Sequence, residues 1–99
     1  QGSSLGGTTS FFKGADVASA SAITPTGNLF HVTGTTTITS ITATNVIAGT
    51  TITIIFDSTA QVSDGNNLKL AGDFTGGADR SLTLAYDGTN FFEVTRSTN

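Results

Sequence analysis

Between Thr50 and Asp57 the chain reads TTITIIFD, with almost perfect alternation of side-chain type. In an extended strand Ile52, Ile54 and Phe56 share one face, and Thr51, Thr53 and Ile55 share the other. A period of two carried by β-branched and aromatic residues specifies a strand and argues against a helix. The segment also combines high β-propensity, strong hydrophobicity and no charge before Asp57, which is the profile of an aggregation hazard at an open sheet edge. Such a strand must be central, or a second chain must cover it.

The same alternation extends along most of the chain. Phe11–Phe12 make a short apolar start, and the segment 18–24 (ASASAIT) is a weak strand ended by Pro25. In NLFHVT, Phe30 and Val32 lie on one face with Leu29 and His31 on the other. TTTITSITAT carries Ile38 and Ile41 three residues apart, so a bulge or corner near Ser40 is needed to bring both to one side. Leu68 and Leu70, then Leu82, Leu84 and Tyr86, then Phe92 and Val94 continue the pattern. Asp87-Gly88 supplies turn chemistry for a closing hairpin, and SDGNN gives a similar signal before Leu68. No window carries a helical apolar stripe. Turn signals recur about every 8–12 residues, the spacing of sandwiches and barrels.

Threonine explains how so apolar a pattern stays wetted. The chain has 20 Thr and 10 Ser among 99 residues, while only 11% are charged, against about a quarter in ordinary domains. Threonine is β-branched and fits a pleated surface, and its hydroxyl hydrates the face without charge. A net charge of −3 leaves no basic footprint for nucleic acid or an anionic membrane. No apolar run approaches the roughly 18 residues of a membrane-spanning helix. The absence of cysteine excludes disulfides, thiolate metal sites and thiol nucleophiles. The opening residues 1–10 read as a linker or boundary segment, and 11–99 as a single all-β domain.

The blocks GNLFHVTGTTTITSI, TITIIFD, DGNNLKLAGDF and SLTLAYDGTNFFEVTRS, in that order, resemble the small β-rich modules at the C-terminal ends of bacteriophage tail fibres and tailspikes. The resemblance spans residues 18–97. It implies a jelly-roll-like β-sandwich assembled as a homotrimer, with a trimeric β-helix or β-prism as the alternative. It also implies a virion protein outside the cell that closes a fibre end and contacts a host receptor or surface glycan. A carbohydrate-binding module attached to a polysaccharide-degrading β-helix, and a capsid decoration or head-fibre domain, are the rival functions. The family pattern names no catalytic residue.

Candidate sites are few. His31 is the single histidine and Glu93 the single glutamate, so a metal centre or a catalytic triad would have to draw its other ligands from aspartates. Those aspartates (Asp16, Asp57, Asp64, Asp73, Asp79 and Asp87) mostly neighbour glycine or serine, where they make turns. The Asp/Gly-rich loops lack the register of a calcium loop and its closing glutamate, and the glycine-rich stretches precede no helix that could cradle phosphate. No catalytic residue, cofactor or metal is therefore expected. In the terminal hairpin Leu82, Leu84, Phe92 and Val94 are assigned to the core. Phe91 then points outward, where with Asp87 and Asn90 it forms a candidate glycan or receptor contact.

Overall fold

The computed structural model describes residues 13–99. The boundary segment 1–10 and the Phe11–Phe12 start lie outside the described residues. Ten strands and no helix are found among them: β1 (Val17–Ala18), β2 (Ala22–Ile23), β3 (Leu29–Thr33), β4 (Ser40–Ile41), β5 (Thr51–Phe56), β6 (Gln61–Val62), β7 (Leu68–Lys69), β8 (Phe74–Thr75), β9 (Ser81–Tyr86) and β10 (Phe91–Ser97). The all-β expectation holds, and of the two alternatives for β5 the structure gives the central position, between β3 and β9.

The larger sheet has the order β1-β3-β5-β9-β10-β7 and is curled and mixed. Strands β1, β3 and β5 run parallel; β9 pairs antiparallel with β5 and with β10, and β7 runs parallel to β10. Two small sheets complete the fold, β2 parallel to β4 and β6 antiparallel to β8. The chain therefore winds through stacked coils, β1 to β2 and then β3 to β4, each laid on the one before. A parallel bridge between Ile38 and Val62 ties the third coil to the second. An antiparallel jelly roll would pair its strands otherwise. Alternation sets which face a residue takes and leaves the direction of its neighbour open.

One core lies between the concave side of the large sheet and the two small sheets. Ile52, Ile54 and Phe56 of β5 are buried with Phe30 and Val32 of β3 and with Leu82 and Leu84 of β9. Ile23, Ile41, Val62 and Phe74 close it from the small sheets. Ile38 and Ile41 both reach this core, as expected, through a corner: Ile38 bridges to Val62 while Ile41 pairs with Ile23. Among the described residues the buried side chains are apolar and no polar one is buried, so desolvation is met almost wholly by hydrocarbon.

In β10 the expected facing is reversed. Phe91 is fully buried, whereas Phe92 and Val94 are 42% and 60% exposed. The cause lies in the neighbours. Phe91 pairs with Tyr86 and stacks on its ring at 4.5 Å between centroids, and on its other side it pairs with Leu68. Register then slips between Glu93 and Thr95, and Val94 is extruded at the bulge. Two charged residues, Glu93 opposite Leu84 and Arg96 opposite Leu82, take the inward positions at the core's rim. They pair with each other at 2.7 Å, and the Arg96 guanidinium lies 5.3 Å from the centre of the Phe74 ring. Counting apolar residues misassigns a strand whose inward positions include an ion pair.

Candidate functional site

The β9–β10 connection forms as its residues dictate. The Asp87 carboxylate accepts hydrogen bonds from the backbone N–H of Thr89 at 2.9 Å and of Asn90 at 2.8 Å. Gly88, at φ +100°, takes the conformation that a side chain disfavours. The Asn90 bond, followed by that from Thr89, holds the Asp87 carboxyl below its ordinary value. Asp87 is exposed and Asn90 half-buried, so both reach solvent, while Phe91 faces the core. Of the three residues singled out as a contact surface, the structure keeps two at the surface. The Asp87 oxygen that binds its own turn is already committed.

Two further loops come to the same end of the molecule. The backbone N–H of Gly49 donates to Tyr86 O at 2.7 Å, and a Cβ added at Gly88 would lie 3.3 Å from that of Ala48. Loop 45–50 therefore rests against the hairpin turn. On its other side, it and loop 24–28 enclose an open groove of about 580 Å³. Pro25, Val46, Ile47 and Ile52 give the groove its apolar surface, and threonines and two asparagines supply amides and hydroxyls. Asn28 donates from Nδ2 to Thr51 O at 3.0 Å, and the Thr26 hydroxyl donates to Ala15 O. These bonds fix the orientation of two polar groups at the groove. Sequence reasoning missed the groove because its walls are separated by a strand and a coil. The one local signal is Ile47, which follows Val46 in the short connection TNVIAGT and is 78% exposed.

The titratable groups mostly serve the fold. His31 Nδ1 lies 2.6 Å from Asp57 Oδ1, joining the middle of β3 to the residue that follows β5. Glu93 accepts from both Nε and Nη2 of Arg96 and from the N–H of Ala71, and Arg96 also donates to Gly72 O at 2.9 Å. The Arg96 hydrogen bond leads in lowering the Glu93 carboxyl, and it raises the guanidinium in turn. Asp64 and Asp73 are tied into their own loops: Asp64 Oδ1 accepts from Leu70 N–H, and Asp73 Oδ1 from Asp64 N–H. Among the described residues no three His, Asp or Glu side chains come together as a metal site, and no helix is long and apolar enough to cross a membrane.

The outer face of the large sheet is different in kind. Pairing sets Leu29, Thr53, Thr83 and Thr95 in one row across the strands, and His31, Ile55, Ser81 and Ser97 in the next. Thr51, Ala85, Phe92 and Lys69 form the row on the other side. The Thr53 and Thr83 hydroxyls bond at 3.1 Å. Lys69 and His31 are the only side chains in these rows that can carry charge. Comparison with protein-family models, with curated proteins and with solved structures finds no match to this chain.

Proposed function

We propose that this chain is a structural, self-associating end module of a fibre- or spike-like viral protein of the bacteriophage tail type, assembled as a homotrimer and presenting its loop end to the host. The outer face of the large sheet carries the reading. Parallel ladders are normally covered on both faces. Here the outer face of β3, β5, β9 and β10 exposes Phe92 and Val94 and only partly buries Leu29 and Ile55. Between them lie small hydroxyl side chains, which permit close approach of a second backbone, and those of Thr53 and Thr83 bond to each other. An exposed apolar face with so little charge around it is accounted for if a copy of the same chain covers it. The stacked parallel coils favour a β-helical arrangement of the assembled shaft over a jelly roll. The virion surface is the setting this implies.

Light scattering at micromolar concentration tests the reading. The parent chain is expected at three times its 10.0 kDa mass. The double substitution Phe92→Ser and Val94→Ser should shift it to monomer while leaving the β-sheet circular dichroism intact, since both side chains are exposed within one chain. A monomeric parent overturns the assembly reading. So does a variant that keeps the oligomer.

A further inference from the structure

The groove between loops 24–28 and 45–50 has the chemistry of a ligand site, and we propose that it binds a neutral saccharide of one or two rings. No ionisable side chain lines it, so nothing in it would compensate a charged ligand. Its volume of about 580 Å³ falls within the range of small-molecule clefts, roughly 300–1,000 Å³. Two of its polar groups, Asn28 and Thr26, are held before any ligand arrives. With Nδ2 of Asn28 given to Thr51 O, the Oδ1 atom is left as an acceptor. With the Thr26 proton given to Ala15 O, that hydroxyl too offers lone pairs. A fitting ligand must therefore donate hydrogen bonds at these points. It must also accept from the Asn45 amide and lay C–H surface on Val46 and Ile47. A pyranose ring does all three, with hydroxyls around its edge and an apolar face. An aliphatic chain leaves the fixed acceptors unpaired, which costs free energy at a partly desolvated site.

The site deepens the adhesive part of the proposed function and is independent of the assembly part. It shares loop 45–50 with the Asp87–Asn90 turn, which rests against that loop but does not line the groove. Orientation fixed in advance lowers the entropy lost on binding.

The test is nuclear magnetic resonance titration of the assembled protein with maltotriose and with N-acetylchitotriose, both neutral, and with trigalacturonate as the anionic comparison. The expected result is movement of the Asn28 and Asn45 side-chain amide signals and the Ile47 methyl signal with a neutral sugar and not with the uronate. Asn45→Ala and Ile47→Ser, at exposed positions, should each weaken binding about tenfold, equivalent to about 1.4 kcal/mol. Unmoved β9–β10 amide signals in these variants show that the fold is retained. Equal response to the uronate, or binding unchanged in both variants, overturns the proposal. Shifts confined to Asp87 and Asn90 also overturn it while leaving the adhesive reading standing. Silence of all three probes throughout the chain removes the groove, and the oligomer mass of the same sample still decides the assembly reading separately.

Discussion

The parallel ladder of β1, β3 and β5 and the antiparallel hairpin of β9 and β10 adjoin along β5, but they are held by different means. In the hairpin, four residues close the connection, and one aspartate satisfies two of the turn's N–H groups. Its partners are near in sequence, so little loop-closure entropy opposes pairing. In the ladder, each strand meets its neighbour only after a complete coil, and the coils must stack closely. Gly14 shows how closely: a Cβ there would lie 2.3 Å from the backbone carbonyl carbon of Thr26. Gly14 donates its N–H to Leu29 O at 2.8 Å, so the backbone cannot easily retreat. The hairpin spends its glycine on a dihedral angle and the ladder spends one on space. Local structure can be read from local chemistry, whereas the ladder depends on contacts made between distant coils.

The largest expected effect comes at the strand shared by both regions. Ile54 is fully buried between Phe30 of the ladder and Leu82 of the hairpin. Ile54→Asp places an unpaired carboxylate there at a cost of several kcal/mol, a large part of a typical stability of about 5–15 kcal/mol. Thermal unfolding followed by circular dichroism should show no cooperative transition. A melt close to the parent's would mean that the two regions do not share a core at β5.

Substitution of the two glycines compares the regions directly. Gly14→Ala should destabilise by about 1–3 kcal/mol through overpacking against the Thr26 backbone. Gly88→Ala should cost about 1–2 kcal/mol through backbone strain at positive φ. Denaturant midpoints measure both. The comparison sharpens if Gly14→Ala is accompanied by loss of amide protection at Leu29 and Val32, with the hairpin unaffected. It breaks if both substitutions loosen the same amides.

A smaller effect is expected at Glu93 and Arg96, which seal the far edge of β10 against loop 71–73. The folded-state carboxyl is lowered from its ordinary 4.5, so Glu93 contributes stability above that pH and loses it as pH falls through the folded value. The stability difference between the parent and Glu93→Gln should therefore be present at neutral pH and shrink on acidification below about pH 4.5. Urea midpoints across that range measure it. A difference independent of pH would show that the carboxylate's charge contributes nothing at this edge.

Much of the fold was legible in the residues, and its limits are instructive. TTITIIF announced a buried strand, and Leu82 and Leu84 fell on the expected face because their alternation was not interrupted. The Asp87-Gly88 turn was legible because its hydrogen bonds stay within four residues. Phe91 was placed wrongly because the ring of Tyr86 and a bulge at Val94, together with the inward Glu93–Arg96 pair, outweighed simple alternation. The groove was not legible at all, since Asn28 and Ile47 meet only after two coils have stacked.

The sequence by itself determined that this chain forms strands, which residues of β3 and β5 share a face, that Leu82 and Leu84 of β9 turn inward, and where the last hairpin bends. These follow from side-chain period and turn chemistry, both of which act over a few residues. Tertiary structure alone decided that β1, β3 and β5 run parallel, that Phe91 rather than Phe92 enters the core, and that two polar loops enclose a groove. Each of those outcomes depends on which distant segment lies alongside. A strand's pattern can demand a covered face, but the covering segment is selected by packing over the whole core.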